Sequence, residues 1–260
     1  MSNRENLDKI LDIISAIDDK RIKTPKHVPA SACVMEAVTL YHWASKDKEA
    51  LIAHGLNWEL VEDLLVRQEA LAEAEAIWNS QWVGRKELAS EWDSLSAFGY
   101  ELRDRLLADY RFAFRNQRDL LLTLKRISTK KNHPTMIQDL NDLSVLGRGH
   151  RPLLEAVRFD ISLLEKAAQA SWDLTALLAK TTTARMNVGE GKRIRDQVYT
   201  YLKEAVDEIR RTGQYVFRHD KERLPGYNCD HLRQANMRRA RARKSKMAKQ
   251  EKQKESPKAT

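Results

Sequence analysis

Residues 57–82, NWELVEDLLVRQEALAEAEAIWNSQW, decide the fold. Leu60, Leu64, Leu71, Ala74, Trp78 and Trp82 follow one another at steps of 4, 7, 3, 4 and 4. That spacing puts them on one face of an α-helix, with Asn57 ahead of them as a residue able to cap it. The end of this helix falls between Gly84 and Ser96.

The same period recurs on both sides. Towards the N-terminus, Val34, Ala37, Val38, Leu40, Tyr41 and Ala44 mark a helix from about Pro29 to Ala53, with Gly55 suited to the position after its end. Further upstream, Ser2-x-x-Glu5 forms a capping box ahead of Leu7, Ile10, Ile14 and Ile17. A helix of that length is marginal alone, so it must dock on the body or on another chain. Asp18, Asp19, Pro25 and Pro29 mark residues 18–32 as a linker.

Towards the C-terminus, Leu102, Leu106, Tyr110, Ala113, Leu120 and Leu124 predict a helix from about Gly99 to Ile127, followed by a hinge over 128–135 (STKKNHPT). Thr135-x-x-Gln138 caps a shorter helix carrying Ile137, Leu140, Leu143 and Leu146, which Gly147 stops. Pro152 opens the next one, with Leu154, Val157, Ile161, Leu164 and Ala168. Residues 181–191 (TTTARMNVGEG) read as a loop. A last body helix with Ile194, Val198, Tyr201, Ala205 and Ile209 must end before Pro225. No segment reads as a strand.

These elements predict an all-α protein, an elongated multi-helix bundle. Residues 1–28 are an N-terminal helix and linker, 29–226 a helical body, and 227–260 a basic tail, disordered or partly helical. Composition agrees: of 260 residues, 42% are hydrophobic and 32% charged, with only 9 Gly and 6 Pro, as expected of long solvated helices around a real core. No run of apolar residues is long enough to span a membrane, and the polar start does not read as a secretory signal. Cys33 and Cys229 are isolated thiols, so no disulfide framework is indicated. A cytoplasmic location is expected, or a nuclear one in a nucleated source, where the basic cluster would also serve as an import signal.

The body carries a candidate pair of degenerate helical-hairpin repeats, 57–127 and 152–224. Leu60, Ala74, Ala76 and Trp78 match Leu154, Ala168, Ala170 and Trp172 at an offset of 94, and Gly99-x-x-Leu102-Arg103-Asp104-x-Leu106 matches Gly191-x-x-Ile194-Arg195-Asp196-x-Val198 at an offset of 92.

Sites of known chemistry are not spelled out. A di-metal carboxylate bundle needs Glu-x-x-His, so that both ligands project from one helix face; no His here has Glu three residues before it, and His-Glu-x-x-His is missing too. Cys229, His231 and His219 offer three zinc donors without a finger spacing or a fourth ligand, so no metal or cofactor is assigned. Gly147-Arg148-Gly149 and Gly189-Glu190-Gly191-Lys192 are fragments of phosphate loops without the complete pattern, and read as helix–helix turns. No Gly-x-Ser-x-Gly elbow occurs.

Two stretches alternate aromatics with cations: Tyr110, Phe112 and Arg115, and Tyr215, Phe217 and Arg218. They are candidate partner surfaces, set against the plainer reading of rings packed in the core with Arg heads in water.

The charge is unevenly divided. Of 46 Lys+Arg and 37 Asp+Glu, 11 and 2 lie in residues 232–260, which leaves 35 of each sign in the first 231 residues. The whole surplus of +9 therefore sits in the tail. Its centre is Arg238, Arg239, Arg241, Arg243, Lys244 and Lys246. No leucine heptad follows to make a basic zipper, and only Leu232, Met237 and Met247 could enter a membrane.

The expected function is a non-catalytic helical adaptor or scaffold whose tail docks on nucleic acid or a ribonucleoprotein without sequence specificity. Two alternatives stand beside it. One is a protein–protein module acting through the body, with a solubilising tail, and with the N-terminal helix as a contact to a partner or a second copy. The other is an enzyme with a buried polar site.

Overall fold

In the computed structural model, residues 3–127 and 132–255 are described, the side chains of 248–255 excepted. The elements are α1 (Asn3–Ser15), a 3-10 turn (Asp19–Arg21), α2 (Ala30–Lys46), α3 (Lys48–Ala53), α4 (Glu59–Glu62), α5 (Leu64–Ala113), α6 (Arg118–Ile127), α7 (His133–Gly149), α8 (Arg151–Glu155), α9 (Ser162–Val216), a second 3-10 turn (Leu224–Tyr227) and α10 (Asp230–Glu255). The protein is an all-α bundle with no strand among the described residues. The Ser2 cap, residues 128–131 of the expected hinge and residues 256–260 of the tail lie outside the described residues. No described helix is long and apolar enough to cross a membrane.

The chain divides into two compact units: Met1–Asn79 with Glu190–Thr260, and Ser80–Gly189. The long helices α5 and α9 contribute to both.

Two expected breaks are absent. No helix ends between Gly84 and Ser96, because α5 runs on as one helix of 50 residues. It contains no proline, and a lone glycine costs a helix only about 1 kcal/mol. The expected loop at 181–191 is likewise inside α9. The hydroxyls of Thr181 and Thr182 both donate to the Leu178 carbonyl, which satisfies them within the helix, and Val188 is buried.

Other breaks fall where continuous helices were expected. The helix read over 29–53 is interrupted at Asp47, and the one read over 99–127 stops at Ala113. The helix opened by Pro152 ends at Glu155, and Arg158 adopts a left-handed φ of 57°. Asp160 then starts α9 by accepting both the amide N–H and the hydroxyl of Ser162. Gly55 turns the chain after α3 with φ 89°, a conformation that favours glycine. The cap of α7 is Asn132, which accepts the Thr135 amide at 2.9 Å, rather than Thr135 itself. Gly147 does not stop α7; a side chain there would collide with the Tyr110 hydroxyl.

In the first unit α1 docks on its own chain: Leu7, Ile10 and Ile14 are buried in a core with Ala37, Leu40, Leu51, Leu71, Leu202 and Ile209. Of the two docking sites expected for α1, the body or another chain, the described residues show the body. Buried arginines lie in the same unit. Arg67 donates to the Tyr201 carbonyl and stacks over that ring at 3.7 Å. Arg195 pairs with Asp196 at 2.6 Å and stands 4.1 Å over the Trp78 ring.

In the second unit Leu106, Tyr110, Phe114, Met136, Leu140, Leu143 and Leu164 form the core. The Tyr110 hydroxyl donates to the Leu143 carbonyl, and Ser171 donates to Ile137. Arg103 is buried here as its sequence counterpart Arg195 is in the first unit, whereas Trp78 is half-buried and its counterpart Trp172 is 75% exposed.

Arg103 faces Asp139 at 3.6 Å, and both are nearly inaccessible to water. Burial pushes the Asp139 carboxyl up to about 6, with Arg103 opposing. Because this value lies above the unfolded one, the group's contribution to stability is complete below about pH 4 and is lost as pH rises through about 6. Removing Arg103 leaves a buried carboxylate without its cation. Arg103→Met is expected to cost about 3 kcal/mol at pH 8; without Arg103 the Asp139 carboxyl is pushed up further, so the cost should shrink as pH falls towards about 6 and the variant's Asp139 takes up its proton first. Urea unfolding across that range checks this; a cost independent of pH would contradict it.

Candidate nucleic-acid interface

The basic arm begins at a built anchor in the first unit. Glu36, midway along α2, reaches the first turn of α10. Its carboxylate accepts the His231 amide N–H at 2.7 Å and the Cys229 thiol at 3.2 Å. The same carboxylate pairs with Arg210 of α9 at 2.6 Å, both side chains being largely buried. An acid supplied from another helix thus caps α10 and complements the positive end of its dipole. Burial opposes the charge on Glu36. The hydrogen bonds from Arg210 and His231 outweigh it and hold the carboxyl below its ordinary range.

The segment before α10 is fastened just as closely. Tyr227 is fully buried and stacks on Phe217, and its hydroxyl donates to Asp47 at 2.8 Å. Arg223 pairs with the other oxygen of Asp47, which the break between α2 and α3 turns inward. Gly213 leaves room for the Tyr227 ring, and Gln214 donates to the Tyr227 carbonyl at 2.9 Å. Cys229 and His231 fall in the stretch expected as a basic tail, disordered or partly helical, and there the chain is held to the body as far as His231.

Beyond the anchor the arm is on its own. Arg238, Arg239, Arg241, Arg243, Lys244 and Lys246 are all exposed on α10, and none of them makes an ion pair among the described side chains. Ala, Arg, Lys, Gln and Met sustain the helix without glycine or proline. Of the two forms expected for the arm, the described part takes the helical one.

The other predicted site residues divide. Tyr110 and Phe217 are buried, so they are core rings and not partner surface. Phe112 and Tyr215 are each 60% exposed, with Arg115 and Arg218 over their rings at 4.5 and 4.7 Å. Helical geometry accounts for the split, since residues two apart on a helix point to nearly opposite sides. The pair Phe112–Arg115 belongs to the second unit and Tyr215–Arg218 to the first.

Sequence reasoning missed Glu36, Arg210, Asp47 and Arg223. Their signal is a contact between residues far apart in the chain, 195 positions in the case of Glu36 and His231. The cleft between Glu36, Trp43, Arg210 and Gly226 is about 170 Å³, below the roughly 300–1,000 Å³ of ordinary ligand sites. Burial pushes the Cys33 thiol up to about 12 and raises Cys229 as well, so both stay protonated at neutral pH. No group of three metal-ligating side chains occurs among the described residues. Comparisons with known proteins found no matching family model, curated protein or solved structure.

Replacing Glu36 by Ala should leave Arg210 unpaired and the start of α10 uncapped, at a cost of about 3 kcal/mol in urea unfolding. The double variant Glu36→Leu, Arg210→Met should recover much of that loss. The stabilisation by Glu36 should be complete above its ordinary value of about 4.3 and be lost at lower pH, as pH falls through the depressed value. A cost under about 0.5 kcal/mol for Glu36→Ala, the level of an ordinary surface substitution, would rule out the anchor.

Proposed function

We propose that the protein is a non-catalytic helical adaptor whose arm docks on nucleic acid or a ribonucleoprotein without sequence specificity. The observation that carries this reading is the run of six exposed cations, without an ion pair among the described side chains, on a helix fixed at its base to a formally neutral body. Each arm cation that neutralises a phosphate releases a counterion condensed on the nucleic acid, so the attraction is strong at low salt and indifferent to sequence. The body supplies position and any further partner.

A second reading rests on the second unit. It exposes Phe98, Phe112, Trp172 and Met186, and a groove lined by Glu87, Glu91, Leu95 and Phe98 runs along α5. Exposed aromatic side chains of that kind suit a protein partner, with the arm then serving solubility.

Truncation after Gln234 separates the two, because it removes the six cations and spares the contacts of Glu36 with Cys229 and His231. The full chain should bind a labelled nucleic acid with a log–log salt slope of about −5, from about −0.9 per neutralised phosphate, and the truncated chain should lose that binding. Unchanged affinity and slope after truncation would overturn the proposal.

A further inference from the structure

We infer that the arm binds in the major groove of duplex DNA of B form. This rests on the reading of α10 as a polyanion-binding arm and goes beyond it by naming the shape of the partner. The cations are distributed around the whole helix. At about 100° per residue, Arg239, Arg243 and Lys246 fall within about 60° of one another, while Arg238, Arg241 and Lys244 occupy the opposite half, spread over about 120°. All six are exposed, so neither half is covered by the body.

A helix charged on both sides finds full complementarity where phosphates flank it on both sides. The major groove of B-DNA is about 12 Å wide, close to the 10–12 Å diameter of an α-helix, and has a phosphate row along each wall. Density matches as well. Arg238 to Lys246 cover about 12 Å of helix axis at 1.5 Å per residue, and a duplex presents one charge per about 1.7 Å, or about seven phosphates over that length.

Other polyanions fit less well. A single strand is held by stacking its bases on aromatic rings, and no Phe, Tyr or Trp occurs from Asp230 to Thr260. The major groove of A-form RNA is deep and too narrow for the helix. An anionic lipid surface meets one side only, and Leu232, Met237 and Met247 do not line up as an insertable stripe. The anchor adds to the case. With its first turn capped by Glu36, the helix is presented to the groove already formed at its base.

The test measures binding of the full chain to a short duplex DNA, its single strand and the duplex RNA of the same sequence, over a series of salt concentrations. Two variants accompany it: Arg239, Arg243 and Lys246 all changed to Gln, and Arg238, Arg241 and Lys244 all changed to Gln. Helical content by circular dichroism is followed for both. Duplex DNA should bind at least about tenfold more tightly than the other two, because only its groove admits the helix. Each triple variant should lose affinity to a similar degree and reduce the salt slope by about 3. Equal binding to the single strand or to duplex RNA would overturn groove binding and leave the arm's general role standing. So would a loss confined to one triple variant. Binding to none of the three would overturn the proposed function itself.

Discussion

The buried ion pair between Glu36 and Arg210 governs how the two parts of this chain are joined. One carboxylate neutralises a cation inside the bundle and at the same time receives the first amide of the basic arm. Losing either partner would strand a charge in a poorly solvated place, which is more costly than the pair itself is favourable. The pair therefore acts more as a positional constraint than as a source of net stability. It fixes where α10 starts, and it leaves Arg238 to Lys246 exposed.

Around this point, packing and polar contacts reinforce each other. Tyr227 fills the space that Gly213 leaves open, its hydroxyl reaches Asp47, and Arg223 completes the neutralisation of that buried acid. The break between α2 and α3 makes sense in this light, since it is what turns Asp47 inward. A neutral body and a cationic arm are then a division of labour imposed by solvation. Buried charges face charges of opposite sign, and the cations from Arg238 to Lys246 are left exposed on α10.

The helical character of the chain was legible because stripes such as Leu60, Leu64, Leu71 and Ala74 have only one regular explanation. Individual boundaries were less so. Thr181, Thr182 and Gly189 look like a loop in isolation, yet the hydroxyls find a carbonyl within α9, and flanking packing carries the helix past the glycines. The opposite error occurred at 114–117 and 156–161, where apolar spacing continues through a turn because core residues on both sides of a bend keep facing the same interior. In the arm, the cations were visible as a charge run. Their anchor was not, since nothing near Glu36 in sequence marks it as the cap of a helix that begins almost two hundred residues later. The aromatic–cation stretches illustrate the limit from another side: spacing shows that two rings diverge, and only the fold shows that Tyr110 and Phe217 are the inward ones.

The central claim is that a body-anchored, otherwise free helix is the surface that meets nucleic acid. Amide hydrogen exchange on the full chain, with and without saturating duplex DNA, tests it at residue resolution. The account predicts added protection along α10 from about Arg238 to Lys246, with the cores of both units unchanged. Protection confined to the body, at Phe112 or around Leu95 and Phe98, with α10 exchanging as fast as in the free protein, would contradict it.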